Sequence, residues 1–227
     1  MHVPEHFRLP DERLEQLLTG ARPGNLVTVH DDGPLATFVP MHCEVRRDAK
    51  VLVTHLVRNN PQVLTPVTGR AMAILDITDA YISPHWYATN DELPSVPTWD
   101  YVTIHAWGTV RIDATPEGAL RAARALTERM EGHEVLEAVG EEKLDLMSRA
   151  IVGVELEIER IEAKAKMSQN RHPDDLRSLI AHFEHSGPRE IAEYLREVSL
   201  PHAERRYGTL EMLRAGARGI EVHGTMG

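Results

Sequence analysis

Across residues 102–112 apolar and polar side chains alternate with a period of two. Val102, Ile104, Ala106, Val110 and Ile112 share one face, and Thr103, His105, Trp107, Thr109 and Arg111 the other. A run with that period is a half-buried strand and offers no continuous helical stripe. The period returns late in the chain, where Val152, Val154, Leu156 and Ile158 alternate with Glu155, Glu157 and Glu159. Four β-rich runs come earlier, at 25–30, 35–45, 51–57 and 71–77, the first two joined by the hairpin signal Asp31-Asp32-Gly33. Six strands with few, late helices predict a mainly β fold, an antiparallel barrel with helical additions, and not a βαβ repeat.

The helices read as additions to that barrel. Asp11 is a plausible N-cap for a short helix carrying Leu14, Leu17, Leu18 and Ala21, stopped by Pro23 and Gly24. Thr115-Pro116 opens another, with Leu120, Ala123, Leu126 and Met130 on its inner side, and a short helix follows at about 141–150. Beyond Arg171 the pattern turns helical. Leu176, Leu179, Ile180 and Phe183 form one stripe, Ser186-Gly187-Pro188 breaks it, and Ile191, Tyr194, Leu195 and Val198 form the next. A third tail helix is expected over 202–214, and 216–227 read as loose. The expected division is a cofactor-binding domain at 1–171 and a helical extension at 172–227.

Composition narrows the function classes. The chain has 227 residues and a formal charge of −10, a balance that counts against direct binding of nucleic acid. Its single cysteine, Cys43, allows neither an intrachain disulfide nor a cysteine-based zinc site. The opening MHVPEHFRLPDE lacks a basic region followed by an apolar core, and apolar runs stay far below a membrane span. A cytoplasmic protein with no membrane segment is the expectation. Glycine-rich nucleotide loops, HExxH and G-x-S-x-G are all absent from the sequence.

Three segments could carry chemistry. In Val53-Thr-His55-Leu-Val-Arg58-Asn59-Asn60-Pro61, a histidine inside a hydrophobic run precedes an arginine and two amides. An imidazole can ligate haem iron and a guanidinium can pair with a propionate or phosphate; alternatively His55 is a backbone-bonded core residue and Arg58 part of a structural ion pair. Ala80-Tyr81-Ile-Ser-Pro-His-Trp86-Tyr87 and Val96-Pro-Thr-Trp99-Asp-Tyr101 hold two of the three tryptophans and three of the five tyrosines. They suit a flat ring cofactor, a dimer interface or aromatic core packing. Lys164-Ala-Lys166-Met-Ser168-Gln169-Asn170-Arg171 could receive a phosphate or propionate, or be a solvated strand exit.

Taken in order, these segments resemble the PaiB family, described as FMN-binding negative transcriptional regulators. The resemblance rests on Pro4-Glu-His-Phe7, Leu35-Ala-Thr-Phe-Val-Pro40, His55-Leu-Val-Arg58-Asn-Asn60-Pro61, Tyr81-Ile-Ser-Pro-His-Trp-Tyr87, Val96-Pro-Thr-Trp-Asp-Tyr101 with His105, and Lys166-Met-Ser-Gln-Asn-Arg171. It spans about residues 1–171. The fold it implies is the FMN-binding split barrel, a six-stranded antiparallel Greek-key barrel, working as a homodimer with cofactor at the interface. One PaiB-like branch, the piperazate synthases, binds haem b and forms an N–N bond within an N-hydroxylated ornithine, with its axial histidine in the segment matching His55. Two features depart from the patterns. Phe38 stands where PaiB-like sequences usually have histidine, and the segments at 83–87 and 168–171 are closer to the general family than to the synthases.

The resemblance implies two functions. In the first, the chain is a haem b enzyme acting on a small molecule, an N-hydroxylated amine or amino acid. His55 is then the metal ligand and, with Lys166, a catalytic candidate; Arg58 and Lys166 lie near the propionates. In the second, it is an FMN-binding negative regulator or flavin-dependent reductase. Arg58, Lys166 and Ser168 then hold the phosphate, and Trp86 or Trp99 flanks the isoalloxazine. Asn60, Tyr87 and Gln169 complete the cofactor-binding candidates.

Overall fold

A computed structural model describes residues 1–47 and 49–222, with side chains up to residue 213. Its strands are β1 (Arg22–His30), β2 (Gly33–Arg46), β3 (Ala49–Val57), β4 (Ala71–Ile82), β5 (Thr98–Asp113) and β6 (Ile151–Lys166). They close into a barrel in the order β1-β2-β3-β6-β5-β4, as the period-two pattern requires. The β1–β2 hairpin turns at Asp31-Asp32, with His30 paired to Gly33 at φ +119. Closure removes the exposed sheet edges that an open arrangement would leave.

By compactness the chain forms two units. The first comprises Met1–Val3, Leu9–Ile77 and Thr103–Ala163; the second comprises Pro4–Arg8, Thr78–Val102 and the described chain from Lys164 on. The boundary expected near residue 171 falls inside the second unit, because the helical tail packs with the 78–102 segment rather than standing apart.

In the first unit the core contains Leu26, Leu52, Leu56, Ile104, Val154 and Leu156, each 2% exposed or less. Helices α1 (Asp11–Thr19) and α2 (Pro61–Leu64) are short. Asp11 is the first helical residue of α1, after Pro10, and not its cap; Pro23 does not end that helix but lies in β1. After β5 come α3 (Pro116–Met130), α4 (Glu134–Val139) and α5 (Glu141–Ser148). α3 starts as its sequence predicts: Thr115 Oγ1 accepts from the Gly118 amide at 3.1 Å, and Pro116 opens the first turn. Its buried Ala119, Ala122 and Leu126 pack toward β3, and Val51, Val53 and Ala122 form one apolar cluster. Close approach is possible because Gly153 carries no side chain; a Cβ there would lie 2.6 Å from the Gly118 carbonyl oxygen.

In the second unit α6 (Pro173–Ser186) and α7 (Arg189–Tyr194) lead through one wide turn (Leu195–Ser199) into α8 (Leu200–Val222). Residues 216–222 are therefore the end of a helix and not loose, while 223–227 lie outside the described residues. Ser199, fully buried, anchors this run by donating from Oγ to the Met167 carbonyl at 2.6 Å. Three strands run further than their sequence pattern suggests: β4 continues to Ile82, β5 begins at Thr98 and β6 continues to Lys166. Among the described residues no helix is long and apolar enough to cross a membrane.

Candidate functional site

His55 stands on β3 with Val51 and Val53, on the strand face that α3 covers. Pro61 and the Asn60 cap end the strand's extension and set the register of Arg58 and Asn60 just beyond it. In the ladder His55 pairs with Gly153 of β6, so no side chain crowds the imidazole from that neighbour. The ring is half-buried, and its Nδ1 is enclosed with no hydrogen-bond partner. Burial pushes its pKa below the ordinary imidazole value, so the ring is neutral at pH 7.

That imidazole lines a cavity of about 400 Å³, within the size range of ligand and cofactor sites. The strand wall adds Pro40 and Ile151; the helical wall adds Leu126 and Met130 of α3, Leu136 of α4 and Met147 of α5. The polar groups in the lining are few. Thr127 Oγ1 donates to the Ala123 carbonyl at 2.9 Å, and Ser148 Oγ donates to the Asp145 carbonyl at 2.7 Å. Glu131 is the one charged residue of the lining.

Arg58 and Asn60 have architectural partners. The Arg58 guanidinium donates from Nε to the Arg149 carbonyl at 2.9 Å, and through its other two nitrogens to Ala114 and Ile151 carbonyls, each at 3.0 Å. The Arg149 carbonyl ends α5, where a cation is favoured, the Ile151 carbonyl begins β6, and the Ala114 carbonyl lies between β5 and α3. Asn60 caps α2 by accepting from the Gln62 amide at 2.9 Å and donates to Thr37 Oγ1 at 3.0 Å. This is the structural alternative weighed for Arg58, with carbonyls in place of an acid.

The remaining candidates lie in the second unit. Trp86 stacks on His182 with ring centroids 3.8 Å apart, and Tyr81 meets both Trp86 and Trp99 edge-on. Trp99 is 53% exposed. Tyr87 is buried under the Arg171 guanidinium, 4.4 Å from the ring centroid, and burial pushes its phenol pKa up. Lys166 Nζ donates to Thr98 Oγ1 at 2.7 Å and to the Trp99 carbonyl, and lies 3.8 Å from Asp100 Oδ1. Gln169 folds back on its own strand exit, accepting from the Met167 amide at 2.8 Å and donating to the Ala165 carbonyl at 2.6 Å. Ser168, at φ +56, donates from Oγ to Asp100 Oδ2 at 2.7 Å.

Asp100 is the residue that sequence reading passed over. It is fully buried, and burial pushes its pKa up to about 6 against the lowering pull of Ser168 and Lys166. Its one sequence signal was its place inside Val96-Pro-Thr-Trp-Asp-Tyr101, where the aromatic neighbours drew attention first. Glu131, the C-cap residue of α3, was also missed, since nothing local distinguishes it from the acids of that helix. Among the described residues no group of three or more His, Cys, Asp or Glu side chains comes together.

The family model described as "Putative FMN-binding domain" matches residues 1–160. The chain belongs to this PaiB-like family. The PaiB-like relatives include the protease synthase and sporulation protein PAI 2 of Bacillus subtilis, 25% identical over 206 residues, which cover 87% of this chain and 97% of that protein. An uncharacterised Aspergillus fumigatus protein is 27% identical over 212 residues, covering 82% of this chain and 76% of its own. Solved structures give the fold. A conserved hypothetical protein of Mycobacterium tuberculosis superimposes with a TM-score of 0.51 at 16% identity, over 75% of this chain and 94% of that one. The FAD and haem binding protein of Mycobacterium smegmatis gives 0.50 at 19% identity, over 71% of this chain and 74% of its own. The PaiB-like barrel is thus a split barrel, as the ordered motifs implied.

Proposed function

We propose that this PaiB-like chain is a haem-binding split-barrel protein in which His55 is the iron ligand. The observation that carries the reading is the His55 imidazole on an apolar cavity wall, its Nδ1 enclosed without a partner. A porphyrin needs an imidazole and apolar walls, with propionates that can face water. The family's flavin fits this cavity less well. The FMN phosphate needs donors, yet no Lys or Arg lines the cavity, and the Arg58 guanidinium is engaged on three carbonyls.

The finer reading is an enzyme acting on an N-hydroxylated amine or amino acid, as in the haem-dependent branch that the sequence resembles. Bound haem would supply redox-active iron toward an N–O bond. The chain's own groups orient the ring ligand on a strand, opposite a largely apolar helical wall. In an N–N bond-forming outcome the amine nitrogen bonds to the hydroxylated nitrogen as N–O breaks. The oxygen leaves as water and no external oxidant is required. Lys166 is absent from the lining of this cavity and has its own partners at Thr98 and Trp99.

A homodimer is part of the same proposal. Phe38, Ala36, Val27, Val29, Met72 and Ile74 share the outward face of β2, β1 and β4, and Phe38 is 67% exposed.

The test is optical. The purified protein is titrated separately with hemin and with FMN. Saturable hemin uptake giving an intense Soret band that shifts on dithionite reduction is the expected result. A two-banded flavin spectrum with no hemin uptake would overturn the reading and favour a flavin-binding regulator or reductase.

A further inference from the structure

The face of β2 and β3 under α3 carries a second buried imidazole. His42 stands on β2 and is 4% exposed. It pairs with Val53 of β3, so His55, two residues on, is its diagonal neighbour on the same sheet face. Its Nε2 lies 3.0 Å from Glu44 Oε1. Glu44 is held in turn through Oε2 by Arg46 Nη2 at 2.7 Å, and the same nitrogen reaches Glu155 Oε1 at 2.9 Å. Burial pushes the Glu44 carboxyl pKa up, but the hydrogen bonds from Arg46 and His42 outweigh it and hold the group below the ordinary carboxylate value. A carboxylate has no proton to give, so Nε2 is the donor and His42 Nδ1 carries the lone pair. That Nδ1 is enclosed and has no partner.

His55 presents the complementary atom. Its Nδ1 is likewise enclosed and without a partner. Iron bound from the cavity takes the other ring nitrogen, Nε2, which leaves the proton on Nδ1. One sheet face thus holds a buried donor lacking an acceptor beside a buried acceptor lacking a donor, a costly arrangement unless the two meet. Diagonal neighbours across an antiparallel pair are about 7–8 Å apart, within reach of two imidazoles, and histidine χ2 is a broad torsion, so a small turn of either ring closes the gap. We propose that His42 is the positioning residue for the iron ligand: His42 Nδ1 accepts the His55 Nδ1 proton, and Glu44, fixed by Arg46, backs the pair. The inference rests on the reading of His55 as the iron ligand and adds the groups that set its tautomer, orientation and basicity. A carboxylate at the end of the chain draws that proton away from His55 and makes Nε2 a stronger donor to iron, which favours the ferric state.

Two measurements on the full chain test this. The first is the ring-nitrogen NMR spectrum of histidine-labelled protein before hemin is added, with His42→Leu and His55→Ala supplying the assignments. His55 is expected as the Nδ1–H tautomer and His42 as the Nε2–H tautomer. In His42→Leu, His55 should revert to the Nε2–H form that predominates in free histidine. The second measurement is made on the hemin-loaded protein. His42→Leu should bind hemin about tenfold more weakly, the loss typical of an outer partner to a metal ligand, and its reduction potential should stand above that of the wild type. Glu44→Gln, which keeps the hydrogen bond and removes the charge, should give a smaller rise. A purely structural role for His42 would lower Tm and leave tautomer and potential unmoved. An Nε2–H tautomer at His55 in the wild type, or an unchanged potential in His42→Leu, would overturn the proposal. Hemin uptake by the wild type and by His55→Ala separates the two readings. The expected tautomers without hemin uptake sink the iron assignment and leave the histidine pair standing. His55-dependent hemin uptake with either contrary result sinks the pairing alone.

Discussion

Asp100 is a carboxylate with no exposure, held by Ser168 and 3.8 Å from the Lys166 ammonium. Its pKa stands at about 6 in the fold against 3.8 for an unperturbed aspartate. Between those values the folded chain binds more protons than the unfolded chain, so stability falls as pH rises through this window. A raised carboxyl pKa is thus a cost at neutral pH. Asp100→Asn should stabilise the fold at pH 7 by about 2 kcal/mol and flatten the pH dependence between pH 4 and 6. Urea unfolding across that range measures it; an Asn variant less stable at pH 7 and unchanged in slope would contradict the assignment. Arg58 makes the opposite point. Its three carbonyl partners predict that Arg58→Ala loses about 2 kcal/mol of stability yet binds hemin with unaltered stoichiometry once folded. A stable variant that cannot hold hemin would return Arg58 to the cofactor. The sequence could name His55 and Arg58, because a histidine in an apolar run and an arginine before Asn-Asn-Pro are local signals. It could not separate their roles, since the carbonyls that engage Arg58 lie 56 to 93 residues away in the chain.

At the scale of elements, the strand pattern was legible because alternation is a property of neighbours in sequence. Residues 102–112 and 152–158 fall within β5 and β6. The ends were less legible. β4 runs on through Asp79 to Ile82 and β5 begins at Thr98, in segments whose aromatic and proline content reads as loop. The short α4 escaped because six residues carry too little periodicity, although Leu136, which it contributes, helps wall the cavity. The placement of α3 depends on a contact no local pattern encodes, the approach of Gly118 to Gly153. Gly153→Ala would put a methyl group 2.6 Å from the Gly118 carbonyl oxygen and push α3 off β6. Overpacking of this kind should cost about 1–3 kcal/mol. The same variant should loosen the cavity that α3 walls, read as a lower Tm together with weaker hemin affinity. An unchanged Tm would mean that the helix is free to shift.

The whole molecule poses the question of what covers the outward face of β2, β1 and β4. On this face Phe38 lies beside Asn25 in the ladder, with Val27, Met72 and Ile74 near it. The account expects a dimer in solution and a monomer for Phe38→Glu, with multi-angle light scattering as the readout. A dimer that persists in the variant would place the interface elsewhere. The net charge of −10 gives the molecule no general attraction for nucleic acid. The central claim is that the His55 imidazole is the ligand to iron. The most direct measurement is hemin binding by His55→Ala in the absence and presence of free imidazole. The account predicts that the variant takes up hemin weakly and without the wild-type Soret band, and that added imidazole, filling the space left in the cavity, restores the band. A variant that binds hemin with the wild-type spectrum and no imidazole would contradict it.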